Sequence, residues 1–180
     1  RKPLIMLGAR QVGKTSVLKK FGKEQFEHCV YFSLDEEQGV CDIFRATKNP
    51  VQIIEQLSFL TEEPILPQKT LLILDEIQDC PEAISAMKYF CEKTPEYVVA
   101  CASSLLGLAF GHEGFSFPVG KVDHINMYPV TFSEFLEQRD AALYRYYQSI
   151  NSLEPLPQVF FDRLSQAFTA YRVSGGMPEA

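Results

Sequence analysis

No two cysteines of this chain are spaced C-x-x-C: Cys29, Cys41, Cys80, Cys91 and Cys101 are scattered, and the three histidines are dispersed as well. That excludes the recurrent zinc patterns, which need closely spaced Cys and His ligands. Free, mostly buried thiols in a reducing cytoplasm are the expectation. The sequence also lacks an apolar run of the ~20 residues a membrane span requires, and shows no signal peptide ahead of its first apolar segment. A cytoplasmic protein without a membrane segment is therefore expected. Positive charge is scarce too, with a formal net charge of −6. A surface built to track nucleic acid is usually strongly basic, so the charge does not indicate that partner, although a local basic patch is compatible with it. Internal repeats and low-complexity tracts are absent.

What is present is ordinary globular composition, 46% apolar and 22% charged over 180 residues, enough for one domain with or without a small appendage. Leu4-Ile5-Met6-Leu7 reads as a buried strand ended by Gly8, and Thr15 to Phe21 as a helix. Cys29 to Leu34 is a second strand, followed by the acidic turn Asp35-Glu36-Glu37. Val51 to Leu60 carries Ile53, Ile54, Leu57 and Leu60 on one helical face. Leu71 to Leu74, Tyr97 to Ala102 and Val122 to Met127 are three further strands, and Pro81 opens a helix at a favourable first-turn position. Gly107 to Gly120 reads as a loop. Thr131-Phe132-Ser133-Glu134 is a capping box. Phe132 to Gln148 and Gln158 to Val173 read as helices separated by a Pro-rich break at Glu154 to Pro157. Short continuous apolar strands alternating with helices predict an α/β fold with a mostly parallel sheet covered on both faces. Ligands of such sheets bind beyond the carboxyl ends of the strands.

Two motifs stand at such ends. Gly8-Ala9-Arg10-Gln11-Val12-Gly13-Lys14-Thr15 fits the phosphate-loop pattern G-x-x-x-x-G-K-[ST] without a gap. Its glycines let the backbone turn successive N–H groups toward phosphate oxygens, and the helix that follows adds the positive end of its dipole. Lys14 supplies a charge for the β- and γ-phosphates, and the Thr15 hydroxyl is a hard oxygen ligand for Mg²⁺. Ser16, next on the helix, joins the expected nucleotide contacts. A chance match in a chain of this length runs below about one in a hundred at ordinary residue frequencies. The second motif is Leu71-Leu72-Ile73-Leu74-Asp75-Glu76, two carboxylates at the tip of an apolar strand. Alone it is a weak signal, because strands often end in acidic turns. After a phosphate loop, Asp75 is expected to hold magnesium through water, and Glu76 to act as general base toward the attacking water. Ser103, at the tip of the fourth strand, is placed to reach the γ-phosphate or that water; Ser104 could do the same, and both could instead simply cap a turn. Gln78, just beyond the carboxylates, is equally in keeping with an exposed turn residue.

These residues, together with Leu74-Asp75-Glu76-Ile77-Gln78, Tyr128-Pro129-Val130-Thr131-Phe132-Ser133-Glu134-Phe135-Leu136 and Gly175-Gly176-Met177-Pro178-Glu179-Ala180, resemble the AAA-like ATP-binding proteins of bacteria and archaea. The resemblance covers nearly the whole chain. It implies a three-layer P-loop NTPase fold with sheet order 5-1-4-3-2, an ATPase core over residues 1–130 and a small helical lid over 131–180. It also implies ATP and Mg²⁺ as cofactors and an attached C-terminal domain as partner, and leaves open a homo-oligomer. The sequence starts at a strand and stops at a Gly-Gly-Met-Pro turn, so a piece of a longer protein is expected. Relatives often carry Gly-Ser after the fourth strand, where this chain has Ala102-Ser103 and keeps the hydroxyl. They often carry Gly-Arg before the fifth, where it has Gly120-Lys121. Lysine keeps the charge but not arginine's planar fork, so Lys121 is either a phosphate sensor or a solvated surface lysine. Arg139, Arg145, Arg163 and Arg172 lie in the helical tail and Arg10 in the loop itself; an arginine from outside the chain is expected to complete the site. ATP hydrolysis driving a conformational change in the attached domain is the leading expectation. A nucleotide-dependent switch with little hydrolysis and a small-molecule kinase are the alternatives. A GTPase is disfavoured, because the guanine-reading N-K-x-D is absent and Lys48-Asn49-Pro50 is not one.

Overall fold

A computed structural model describes residues 1–104 and 118–177. The expected Gly107–Gly120 loop lies outside them except for its last three residues, as do Pro178, Glu179 and Ala180. The chain divides into two compact units, one of residues 1–10 and 14–127, the other of residues 11–13 and 128–180.

The first unit is built on five strands: β1 (Leu4–Leu7), β2 (His28–Ser33), β3 (Thr70–Asp75), β4 (Val98–Ser103) and β5 (Asp123–Asn126). All neighbours pair in parallel, in the order β2-β3-β4-β1-β5. Read from the other edge this is 5-1-4-3-2, the order the resemblance implied. Every residue of β3 is buried, which is why its sequence is apolar without alternation: in a parallel sheet covered on both faces, neither side meets water. Among the described residues, four helices cover the sheet: α1 (Lys14–Gln25), α2 (Gln38–Ala46), α3 (Pro50–Ser58) and α4 (Pro81–Lys93).

Strand parity divides the core. Met6, Leu71, Ile73, Ala100 and Ala102 pack with Leu18 of α1. The alternate residues Ile5, Phe32, Leu72, Leu74, Val99 and Cys101 pack with Phe44 of α2, Ile53 and Leu57 of α3, and Ile84, Met87 and Phe90 of α4. Helix α1 lies close on its sheet face, because a Cβ at Gly22 would stand 2.4 Å from Cys29 Sγ and 3.2 Å from Leu71 Cδ2. Asn49 caps α3, its side chain accepting from Val51 N at 3.1 Å.

Helix α2 has no counterpart in the sequence reading. Val40, Cys41 and Phe44 are its buried residues, with Ile43 packed against the same core, and Val40, Ile43 and Phe44 stand at helical spacing. The helix is only nine residues long, and packing of Phe44 and Cys41 into the core holds it.

The second unit contains α5 (Phe132–Arg139), α6 (Ala141–Ser149) and α7 (Gln158–Ser174). The expected capping box forms: Thr131 Oγ1 accepts from Glu134 N (3.2 Å), and Glu134 Oε2 accepts from Thr131 N (2.8 Å). The helix expected from Phe132 to Gln148 is instead two, broken at Asp140. That residue leaves helical backbone (φ −151°) and caps α6, its Oδ1 accepting from Leu143 N at 2.9 Å. This hydrogen bond, with the Arg163 guanidinium beside it, holds the Asp140 carboxyl below the usual range. Leu136, Leu143 and Ala167 form the small core of the unit. The terminal glycine pair belongs to its architecture. Val130 N donates to Gly176 O at 2.7 Å, and a Cβ on Gly176 would stand 2.5 Å from Val130 O. The two distant motifs of the resemblance thus meet where only glycine fits. No helix of the described residues is long and apolar enough to cross a membrane.

Candidate nucleotide site

The carboxyl ends of the strands set the positions. Leu7 is in register with Ser103, and Ser33 with Asp75. Beyond β1, Gly8 N still donates to Ser103 O at 3.2 Å, so the loop departs beside the tip of β4. In the loop, Gln11 (φ 64°) and Gly13 (φ 92°) take left-handed backbone. Such steps turn successive N–H groups to one side of a tight loop. Ala9, Arg10, Gln11 and Ser16 are exposed, Gly8, Gly13 and Thr15 half-buried, and Val12 and Lys14 buried.

Lys14, the first residue of α1, folds its side chain back under the loop. Its Nζ donates to Gly8 O (3.0 Å) and Ala9 O (2.8 Å). An ammonium has three N–H groups, so one remains for a phosphate oxygen in this posture.

Parity places Asp75 on the α1 face of the sheet, with Leu71 and Ile73. There the Thr15 hydroxyl donates to Asp75 Oδ2 at 2.5 Å, the Tyr31 hydroxyl donates to the same oxygen at 3.1 Å, and Glu76 N donates to Oδ1 at 3.0 Å. Asp75 is buried and these three donors satisfy it. Tyr31 is a residue that sequence reasoning missed. It sits on β2 at the face and height that bring its phenol to Asp75, and the Lys19 ammonium stands 3.3 Å from its ring centroid. Burial above all pushes the phenol up to about 12. A tyrosine two residues before a strand end gives no signal until the strand order is known.

Magnesium fits the Thr15–Asp75 pair. Two hard oxygens converge there from different elements, and Mg²⁺ commonly takes one or two protein oxygens with phosphates and waters completing its shell. Among the described residues no three His, Cys, Asp or Glu side chains gather as an all-protein metal cage.

Glu76 leaves β3 in left-handed backbone (φ 48°, ψ 46°), which costs a non-glycine residue roughly 1–3 kcal/mol and is concentrated at functional sites. The step sends the chain into a single 3-10 turn, Ile77–Asp79. Ser103 has the parity of Val99 and Cys101, so its side chain lies on the face covered by α4 and not on the α1 face. It is fully buried, and its hydroxyl donates to Gln78 Oε1 at 2.8 Å; the Ser104 hydroxyl donates to Glu76 Oε2 at 2.9 Å. Ser103 and Ser104 therefore both join the carboxylate motif, and Gln78 is no isolated turn residue. Burial and then the Glu76 charge raise the carboxyl of neighbouring Asp79.

Lys121 stands elsewhere. It precedes β5, whose first residue is in register with Leu4, so it lies at the amino ends of the strands, opposite the loop. Roughly 13 Å of strand, four residues at ~3.3 Å each, separates the two ends. Its Nζ pairs with Glu92 of α4 at 2.9 Å. It is neither a phosphate contact nor a merely solvated lysine. In the second unit, Arg163 pairs with Asp140, Arg139 lies 5.5 Å from the Phe135 ring centroid, and Arg145 Nε donates to Ala141 O at 3.3 Å.

A parallel sheet in this order, a phosphate loop running from β1 into α1, and a Thr–Asp pair between α1 and β3 define a P-loop nucleotide-binding ATPase domain. The chain belongs to the AAA domain family, whose model matches residues 1–136. No match is found among curated proteins. Among solved structures, the Walker-type ATPase PABY2304 of Pyrococcus abyssi is similar with a TM-score of 0.55 and 19% identity, covering 98% of this chain and 59% of that one. A variant of RuvB from Thermotoga maritima gives 0.47 and 17%, over 80% of this chain and 44% of that one. The replication initiator DnaA, bound to AMPPCP and single-stranded DNA, gives 0.47 and 16%, over 96% and 54%. The chain spans less than two thirds of each of these proteins, and at such identities the likeness is one of fold.

Proposed function

We propose that this domain binds ATP with Mg²⁺ at the loop Gly8–Ser16 and hydrolyses it, driving a conformational change in an attached partner domain. The observation that carries the reading is the convergence of Thr15 and Asp75, 2.5 Å apart at the mouth of the loop, with Glu76 one residue on. Lys14 binds the β- and γ-phosphates with the donor it has free. Thr15 and Asp75 would hold the metal, which when bound would neutralise charge on the phosphates. Glu76 accepts the proton of the attacking water, and Ser103 lies at the strand tip between loop and carboxylates. Adenine is favoured by the lack of a guanine-reading motif. The three-helix second unit serves as a lid, and an arginine from the partner domain or a second copy completes the charge at the γ-phosphate, an effect worth ~10³–10⁵ in rate. A cytoplasmic setting accords with five free cysteines.

The test separates binding from chemistry. Glu76→Gln keeps the size and shape of the side chain but cannot take a proton; it is expected to bind ATP·Mg²⁺ normally and to stop hydrolysis. Asp75→Asn is expected to weaken the magnesium dependence of ATP binding. Hydrolysis by Glu76→Gln at the wild-type rate would remove the general-base role, and would favour a switch that scarcely turns over.

A further inference from the structure

The Gln78 side chain ties together groups that the mechanism treats separately. Its Nε2 donates to Glu76 Oε2 (2.5 Å) and Asp79 Oδ2 (3.1 Å). Its Oε1 accepts from the Ser103 hydroxyl (2.8 Å) and from Ser104 N (3.3 Å). Chemistry fixes which way the amide faces: turned over, its oxygen would meet two carboxylates and its NH₂ would meet a backbone N–H. The Ser104 hydroxyl closes the ring by donating to the same Glu76 oxygen at 2.9 Å. Glu76 Oε2 thus accepts two hydrogen bonds, one from its own turn and one from the tip of β4, and among the described residues its Oε1 makes none.

A glutamate has three rotatable bonds and a general base must meet its water within hydrogen-bond reach. Two donors on one oxygen hold the carboxylate while leaving the other oxygen to work. Gln78 also carries the hold to Ser103, whose backbone carbonyl accepts from Gly8 N where the phosphate loop departs. We propose that Gln78 is the positioning residue of this site, clasping Glu76 to the tip of β4 and linking the general base to Ser103. It does not touch substrate; it acts through Glu76. The inference rests on the reading of Glu76 as base.

The test uses the full chain carrying Gln78→Ala or Gln78→Glu, with Glu76→Gln alongside. Hydrolysis is measured in single turnover, ATP·Mg²⁺ affinity by calorimetry and stability by thermal unfolding. A displacement of about 1 Å in a reacting group can cost on the order of 10²-fold. Gln78→Ala is expected to lower the hydrolysis rate roughly 10- to 100-fold with ATP affinity within about twofold of wild type. Gln78→Glu keeps the length and the acceptor for Ser103 and Ser104 but sets a carboxylate oxygen against Glu76. Its rate should fall at least as far, and it decides the matter if the alanine variant does not fold. Either folded variant hydrolysing within twofold of wild type, while Glu76→Gln is inactive, overturns the role of Gln78 alone. A loss of rate matched by an equal loss of ATP affinity and of melting temperature overturns it also, since that is the mark of a structural residue. Wild-type hydrolysis by Glu76→Gln would instead overturn the base reading on which it rests.

Discussion

Replacing Lys14 by alanine is the perturbation whose consequences the structure constrains most tightly. Among the described residues the ammonium donates to the Gly8 and Ala9 carbonyls, at 3.0 and 2.8 Å. Ala9 is exposed and Gly8 half-buried, so water can replace the lost donor and the fold should survive. What cannot be replaced is the charge aimed at the phosphates. A hydrogen bond to a charged group is worth about 1.5–3 kcal/mol, which predicts ATP binding weakened on the order of tenfold to a hundredfold. Thermal unfolding reports the same quantity independently. At a ligand concentration of 100 Kd the wild type gains about 2.7 kcal/mol from ATP; at that same concentration the variant should gain about 1.4 to 0.4 kcal/mol. The ATP-induced rise in melting temperature should therefore shrink to about half or less, while the melting temperature without ATP changes little. Calorimetry supplies the direct dissociation constant. Unchanged ATP affinity in Lys14→Ala would remove the loop as the nucleotide site, and a variant that failed to fold would refute the account of how Lys14 is satisfied.

Two further outcomes are expected. Gly22→Ala gains about 1 kcal/mol of helix propensity but forces a Cβ to within 2.4 Å of Cys29 Sγ and 3.2 Å of Leu71 Cδ2. Overpacking costs typically 1–3 kcal/mol, so a net loss of about 1 kcal/mol is expected in urea unfolding, reduced in a Cys29→Ala background; a stabilised Gly22→Ala would show that α1 has room to move. Tyr31, with its phenol pushed up to about 12 by burial, binds its proton more tightly folded than unfolded. Its contribution to stability is full below pH ~10 and lost as pH rises from there through about 12. The ultraviolet phenolate titration of wild type minus Tyr31→Phe checks this, and a difference curve centred near pH 10 would contradict the buried contact with Asp75.

The sequence by itself determined the phosphate loop, because Gly8, Gly13, Lys14 and Thr15 act through local backbone geometry that a short motif specifies completely. It also determined β1, β3 and β4, whose burial leaves nearly unbroken apolar runs, and the Thr131–Glu134 cap, a contact between neighbours in the chain. Helix α2 and the break at Asp140 were missed: α2 is nine residues long, too short to hold as a helix without the core its apolar face enters, and the apolar residues of the two helices beside Asp140 pack into one cluster. The network at the site was decided by tertiary structure alone. Strand parity sends Asp75 toward Thr15 and Tyr31 but sends Ser103 toward Gln78, and the register of β5 with β1 sets Lys121 at the opposite end of the sheet beside Glu92. Each of these depends on which strand lies beside which, and a one-residue change of register would reverse the faces. Residue types reveal what chemistry a chain can perform; only the pairing of distant strands decides which groups are close enough to perform it together.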